Sequence, residues 1–483
     1  MPDQPPHQMN APYQPYAGGY AHQQPPGAFA PAPPFAPPPP PRRRTGKIIG
    51  FSVLGIVLVL VLGVGFIFAR NILNSHDVTP AEEYAMSREK VYDTLAKAIK
   101  DKDEAAYLKP FEGAQNKEHA RKLFRNLVKV PFTVAKFEEL NAGNGSRPVA
   151  FVHQIKGIDY APVYEQYIFE FESKPEHYQV ITGFRGATEP YLGTPGSFYP
   201  APWDVYEDMT VVRKGRVMII SDKKHQADTR RFAPYVARAA DDDVRTWERS
   251  GADTTRLSKG ALIVLEPERN VYDKFYKGNG DHDSLEAGVN LAMPKYKAEY
   301  EEKAQYGGSR IVMDSSLSRF TSSAWRQGVT DISRHEIGHA MVATYDTSRG
   351  PLPVFPDTWI AEGFAGYLES RDNTARASAE ARRSLDGYKF GPWVRPADDA
   401  ETFYAKTAKE RRSIYVLARL AIQYMAKKYG EKAAFGFVAA QYARPGKQQE
   451  HFSQYLGTDR NGFWDGWYNY VRAQVPNIGA AKG

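Results

Sequence analysis

The spacing of apolar residues divides this chain into stretches of different period. Ala85, Val91, Leu95, Ala98 and Ile99, then Ala105 and Leu108, recur at helical spacing and predict a helix from Thr79 to about Lys109. It opens on Thr79-Pro80-Ala81-Glu82, a hydroxyl cap followed by proline at the first helical position and glutamate at the third. A second helix is expected over residues 116–128. From Phe132 the period falls toward two, through 132–137, 149–155, 164–171 and 178–182, with Gly, Pro and Asn-Gly turns between. Two helices followed by an antiparallel sheet predict a small α+β domain over residues 77–190. His153 and Asp159 stand isolated within it, so its role reads as structural, spacing or binding.

A Gly/Pro-rich connection from Gly193 to Trp203 leads into a second pattern over residues 200–475, where strands and helices alternate. Val211-Val212, 216–220, 261–265 and 310–313 read as strands. Residues 226–251 read as a helix with Phe232, Tyr235, Val236 and Ala239 on one side. Residues 276–284 form a polar surface loop, whose Asp281, His282 and Asp283 have metal-binding side chains but no fixing geometry. Helices over 408–429, stopped by Gly430, and over 433–443 follow, and 452–456 with 463–471 close the chain on an aromatic packing face.

Candidate chemistry lies between those blocks. Ser333-Arg334-His335-Glu336-Ile337-Gly338-His339-Ala340 contains His-Glu-x-x-His. On a helix the two histidines fall on one face a turn apart, so both imidazoles can reach one metal ion. Glu336 then stands beside the pair, placed to handle the proton of a water rather than to bind the ion. Ile332 and Val342 extend the histidine stripe, while Ile337, Ala340 and Met341 add a second apolar line. Gly338 costs roughly 1 kcal/mol of helix propensity against alanine, so it asks for a close helix approach. Catalytic zinc takes three protein ligands and keeps one position open. Glu362, on the next helical pattern at 357–370, is the candidate for the third. Asp357 and Glu369 compete with it, although Asp357 also fits a cap and Glu369 an acceptor for an imidazole N–H. Cysteine is absent, so any metal site must use nitrogen and oxygen ligands. A solvent-facing histidine pair on an amphipathic helix is the plain alternative, and it leaves Glu362 unexplained.

Charge and composition change the picture chiefly at the start of the chain. The net charge of +7 over 483 residues is spread along the sequence, and no basic patch interleaved with aromatics stands out, which excludes a nucleic-acid partner. Residues 1–46 form a Pro-, Ala-, Gln- and Tyr-rich tail that cannot bury enough apolar surface to fold and is expected to be disordered. Arg42-Arg43-Arg44 and Lys47 precede residues 48–69, which are apolar apart from Ser52 and long enough to cross roughly 30 Å of hydrocarbon. A cleaved leader would lie nearer the start, so 47–70 is expected to be a retained transmembrane helix in the lipid bilayer. The basic flank places the tail in the cytoplasm and everything after residue 70 outside the cell membrane.

His335-Glu336-Ile337-Gly338-His339 together with Trp359-Ile360-Ala361-Glu362-Gly363-Phe364-Ala365-Gly366-Tyr367 resembles the gluzincin group of zinc metallopeptidases, which includes thermolysin and the membrane-alanyl aminopeptidases. Residues 359–365 are most like the aminopeptidase branch. Tyr415-x-x-Ala418-x-x-Ala421-Ile422-x-Tyr424-Met425, ending at Tyr429-Gly430, resembles the following helix of compact peptidase MA-like domains. The likeness covers roughly residues 200–475. As a whole the chain resembles actinobacterial single-pass membrane proteins with Pro-rich tails and no cysteine.

The resemblance implies an α+β, thermolysin-like or aminopeptidase-like fold with Zn2+ held by His335, His339 and Glu362. It implies hydrolysis of a peptide or protein substrate with Glu336 as general base, and a tyrosine that donates to the oxyanion, Tyr415 first and Tyr404 second. A cell-envelope partner is a further expectation for the domain at 77–190. The chain departs from the family in carrying no Gly-x-Met-Glu-Asn-like exopeptidase signature ahead of the zinc helix. A strand just before such a helix can pair an extended substrate along a free edge. Residues 310–314 are the candidate, with an interior strand as the alternative. A function of another class fits the same pattern: a non-catalytic binding or scaffold protein of the cell surface that retains a peptidase fold.

Overall fold

The computed structural model describes residues 80–140, 148–175, 178–186, 200–276, 287–296, 306–347, 356–396, 398, 403 and 407–479, with side chains from Ser87 onward. The tail at 1–46, the span at 47–70, the Thr79 cap, Asp281, His282, Asp283 and Tyr404 lie outside the described residues. Among the described residues no helix is long and apolar enough to cross a membrane.

The first helical pattern is broken once. α1 (Pro80–Asp101) ends where Lys102 takes a φ of 59°. Asp103 then caps α2 (Glu104–Leu108), its carboxylate accepting from the Ala106 N–H at 3.0 Å. α3 (Ala114–Leu127) turns Ala120, Leu123, Phe124 and Leu127 inward. Four strands follow: β1 (Phe132–Glu139), β2 (Pro148–Ile155), β3 (Val163–Lys174) and β4 (Tyr178–Gly186). They pair antiparallel in that order, as the two-residue period predicts.

The chain continues through α4 (Pro202–Val205), β5 (Met209–Lys214), β6 (Val217–Asp222), α5 (Gln226–Ser250), β7 (Ala261–Glu266), α6 (Arg269–Tyr276), β8 (Gly288–Pro294) and β9 (Tyr306–Asp314). The strands form a second sheet in the order β5-β6-β7-β9-β8, with β6, β7 and β9 parallel and an antiparallel strand at each side. Strand alternation decides which core each residue joins. Val217, Ile219, Ile263, Ile311 and Met313 face the helices of the C-terminal half. Met218, Ile220, Leu262, Val264 and Val312 face the other way, into one cluster with Leu95, Leu123, Phe151 and Phe169. A sheet covered on both faces must be apolar on both, which is why Val217–Ile220 of β6, Ala261–Leu265 of β7 and Ile311–Met313 of β9 are apolar without alternation. The protein is a mixed α+β structure in which the described residues from Arg88 onward pack as one compact unit.

The turn between β2 and β3 is pressed into the second sheet. A Cβ on Gly260 would lie 2.3 Å from the Gly157 carbonyl oxygen and 2.6 Å from the Ile158 Cα, so only glycine admits the approach. The Ala161 N–H donates to the Gly307 carbonyl at 2.9 Å. Behind this turn the fold gathers polar groups that look isolated along the chain. The β2–β3 register sets Val163 opposite His153 and Glu165 opposite Phe151, which brings Glu165 to the face of His153. Their Nε2 and Oε1 atoms are 3.8 Å apart. Arg310 of β9 pairs with Glu165 and donates to the Pro200 carbonyl at 2.9 Å, while Asp159 accepts from the Ile155 N–H at 2.6 Å. His153 and Asp159 are therefore members of one buried cluster, correcting the expectation from spacing. Next to it the Tyr167 hydroxyl donates to Asp204 at 2.8 Å. Burial pushes the Asp204 carboxyl up to about 7 despite that bond, and pushes Asp159 up to about 6 despite His153.

β9 overturns a second expectation. Residues 310–314 lie between β7 and β8 with both sides paired, so they offer no free edge. The outer strand on that side is β8, which the sequence hides because it carries Gly, Asn and Pro. The C-terminal half is helical: α7 (Ser318–Thr321), α8 (Trp325–Ala343), α9 (Thr358–Ser370), α10 (Thr374–Ser384), α11 (Ala408–Tyr429), α12 (Glu431–Ala443), α13 (Gln448–Leu456) and α14 (Arg460–Gln474). Trp247, Trp359, Phe364, Phe435 and Trp467 fill the core between them. α11 opens on a capping box of Thr407 and Glu410.

Gly260→Ala is expected to lose about 2 kcal/mol or more of stability, read from the denaturant midpoint, because the added methyl meets backbone that cannot swing away. Asp204 yields a pH prediction. Its folded value lies above the ordinary one, so its contribution is fully present below about 4 and is lost as pH rises through about 7. Asp204→Asn keeps an acceptor for Tyr167 and removes the loss. Measured by denaturation, the variant should gain on the wild type by a few kcal/mol between acid and neutral pH. A difference that stays constant with pH would contradict this account.

Candidate metal centre

α8 supplies two imidazoles and a carboxylate, and α9 supplies two carboxylates. The helices approach closely at Gly338, where a Cβ would stand 3.1 Å from Leu368 Cδ1 and 3.3 Å from the Ala365 Cα. That is the close approach its low helix propensity asked for. Glu362 and Glu369, two turns apart on α9, then address opposite nitrogens of His335. Glu369 Oε2 is 3.2 Å from His335 Nδ1, and Glu362 Oε2 is 3.3 Å from His335 Nε2. Glu362 Oε2 is also 3.6 Å from His339 Nε2, and the two histidine Nε2 atoms are 3.3 Å apart.

Three donor atoms thus form a triangle with sides of 3.3, 3.3 and 3.6 Å. Ligands about 2.0–2.2 Å from a tetrahedral zinc stand about 3.3–3.6 Å from one another. The residues fit the ion: two nitrogens and a carboxylate oxygen converge at its spacing, and Glu369 holds the Nδ1–H so that Nε2 presents its lone pair. Among the described residues this is the one group of three or more metal-binding side chains with donor atoms so close together. Asp357 stays outside it. Asp357 occupies the N-cap position of α9 but makes no capping bond with its side chain, so the expected cap is not formed. Burial and then the Asp398 charge raise its carboxyl to about 7.

The electrostatics follow from putting five such groups in a small buried volume. Burial opposes a charged His335, but Glu362 and Glu369 outweigh it and hold its value well above the usual one. Burial likewise opposes a charged Glu369, yet the His335 hydrogen bond and the Arg319 charge at 3.4 Å bring it down to about 2. Glu362 is lowered further by both imidazoles against the same penalty. Glu336 feels the same two imidazoles, but burial outweighs them and raises it. Its Cγ and Oε1 lie 2.8 Å from where a Cβ of Gly288 would be, which places β8 directly against the acid/base candidate. Arg334, beside His335, is buried and paired with Asp242 of α5 at 3.1 Å and with Asp372, which ties α8 to its neighbours.

Tyr415 reaches the site from α11, its ring 6.4 Å from that of His335 and 5.0 Å edge-on from that of Phe403. Two further residues escaped the sequence reading. Tyr442 of α12 is buried, and burial followed by the charges of Glu362 and Asp346 raises its hydroxyl above the tyrosine range. Asn290 of β8 shares the face of Gly288, and its side-chain oxygen is buried without a hydrogen-bond partner. Tyr442 gives no signal in sequence beyond helical packing, whereas Asn290 could have been found had β8 been recognised, since residues two apart share a strand face.

No protein-family model matches this chain, and no curated protein matches it in sequence. Solved structures similar to it include an M1 zinc metallopeptidase from Deinococcus radiodurans, with 13% identity and a TM-score of 0.31. Yeast LTA4 hydrolase in complex with bestatin is another, with 11% identity and a TM-score of 0.27. The matched regions cover 73% and 72% of this chain but 62% and 51% of the respective neighbours.

Glu369→Gln keeps the size of the side chain but takes away the charge that holds the His335 N–H. Zinc affinity, measured by competition with a chromophoric chelator, is expected to fall about 10–100-fold. An unchanged affinity would show that Glu369 does not orient His335.

Proposed function

We propose that this protein is a zinc-dependent peptidase of the cell surface, anchored through residues 48–69 with its site outside the membrane. The donor triangle of His335, His339 and Glu362, with Glu336 buried at its side, is the observation that carries the reading. When bound, zinc polarises a carbonyl and makes water nucleophilic at neutral pH. Glu336 accepts the proton of the attacking water and returns it to the departing amine. Burial raises its proton affinity and so moves it toward the range a shuttle of this kind needs. An extended peptide adds to the outer edge of β8, where Gly288 carries no side chain beside Glu336. Tyr415 donates to the oxygen on which charge develops. Glu369 keeps His335 in one tautomer and orientation throughout.

Full-length protein supplied with zinc is expected to carry about one equivalent by mass spectrometry, and Glu362→Ala to lose most of it. Glu336→Gln should retain the metal while cleaving a broad peptide library at least about a hundredfold more slowly. Absence of metal from folded, zinc-supplied protein would sink the hydrolase reading and leave the scaffold function in its place. Equal rates for wild type and Glu336→Gln would remove Glu336 from the chemistry.

A further inference from the structure

We propose that a cavity of about 190 Å3 beyond the carboxyl ends of β6, β7 and β9 binds a small apolar α-amino acid as its zwitterion. Parallel strands leave a crevice past their carboxyl ends, where side chains from several segments meet. Here Ser221 comes from β6, Leu265 from β7 and Ser315 from just after β9, while the first turns of α5 and the short helix α7 close the sides. The described residues that line it include none of His335, Glu336, His339 and Glu362. Helix α7 turns Phe320 and Thr321 into the cavity and sends Arg319 to Glu369 at 3.4 Å, so the two sites share a helix but no side chain.

The deepest hydroxyls can accept hydrogen bonds from a guest but have none to give. A hydroxyl carries one hydrogen and two lone pairs. Ser221 and Thr229 stand 2.6 Å apart, Ser221 also faces the Asp222 carbonyl at 3.1 Å, and Thr229 faces the His225 carbonyl at 3.1 Å. Their two hydrogens serve all three contacts. Nearer the rim, Thr321 donates to the Leu317 carbonyl at 3.2 Å and Ser316 donates to Asp314 at 2.5 Å. Four hydroxyls therefore offer lone pairs, and only a donor satisfies them. An ammonium group is such a donor, with no acceptor of its own.

A simple cation is a poor match, because the lining carries a guanidinium as well as a carboxylate. Asp228 and Arg231 pair at 2.9 Å with side chains 51% and 46% exposed. A pair so exposed contributes little in water, so exchanging it for a guest of matching charges costs little. A guanidinium holds a carboxylate through two parallel N–H donors. Arg231 also lies over the rings of Phe232 and Trp325, 4.7 and 4.9 Å from their centroids, which fixes its plane for that contact. Asp228 then joins the hydroxyls around the ammonium. Phe232, Leu265 and Phe320 belong to the core and give the side chain of the guest an apolar wall. At about 190 Å3 the cavity is smaller than the roughly 300 Å3 at which drug-sized pockets begin, which suits one amino acid and not a longer peptide.

The test is a set of ligand-detected NMR titrations of full-length protein, zinc-loaded and zinc-stripped, with L-leucine, N-acetyl-L-leucine and L-leucinamide. L-Leucine is expected to saturate a single site with the same affinity in both forms of the protein. N-acetyl-L-leucine lacks the ammonium and L-leucinamide lacks the carboxylate, so each should bind at least about tenfold more weakly. Arg231→Gln should weaken L-leucine by a similar factor and leave L-leucinamide unchanged, because the partner removed is one the amide never used. Asp228→Asn should likewise weaken L-leucine and leave N-acetyl-L-leucine unchanged. A variant that merely misfolds would lose all three compounds alike, and that pattern in both variants would overturn the assignment of these two residues. No saturation by L-leucine at millimolar concentration, or equal affinity for the three compounds, would overturn the site itself. Binding of L-leucine that disappears with zinc would place the amino acid at the metal centre and overturn it too.

Discussion

The close crossing of α8 and α9 is the constraint on which the site depends. Glycine at 338 lets the backbone of one helix approach the side chains of the other to ordinary contact distance. Only at that separation can two carboxylates from one helix address both nitrogens of a single imidazole on its neighbour. A Cβ at 338 would stand 3.1 Å from Leu368 Cδ1 and 3.3 Å from the Ala365 Cα, tighter than ordinary contact, so the two helices would have to shift by a few tenths of an ångström. The geometry of the ligands is therefore a packing result first and a chemical one second.

Holding these groups together carries an electrostatic cost. Three carboxylates and two imidazoles share a buried volume, and burial penalises every charged form there. Without an ion His335 takes the role of the cation, which is why its proton is held so firmly. Arg319 offsets part of the Glu369 charge from outside. A bound divalent cation would replace the proton as the positive centre and invert these preferences. Arg334 performs a separate task, since its pairs with Asp242 and Asp372 fix α8 against the rest of the helical layer.

The second sheet joins this helical layer to the N-terminal part. Its parallel strands bury one face under α5 and α8, while the other joins one cluster with α6, the first sheet and α1 to α3. The turn at Gly157 and the buried Arg310–Glu165 pair set the register of the two sheets against each other. A buried ion pair contributes little net stability, but a mispaired arrangement would strand its charges, so it disfavours alternatives.

How much of this could be read without coordinates depends on the range of the interaction involved. Helical spacing alone placed His335 and His339 on one face with Glu336 between them, because a helix turn is a local property of the backbone. The long helices α5 and α11 and the strands of the first sheet were legible for the same reason, through periods of 3.6 and 2. Glu362 was the natural third donor by position, yet choosing among Glu362, Glu369 and Asp357 required the crossing angle and separation of two helices. The edge strand was misplaced because order in a sheet is set by crossover connections that no local pattern encodes. His153 and Asp159 looked isolated for a similar reason, their partners Glu165 and Arg310 arriving from other strands. The sequence by itself determined the chemistry available and the local geometry of the His-Glu-x-x-His turn. Only the tertiary structure decided which distant carboxylates meet that turn and which strand lies open beside it, since both follow from packing between segments far apart in the chain.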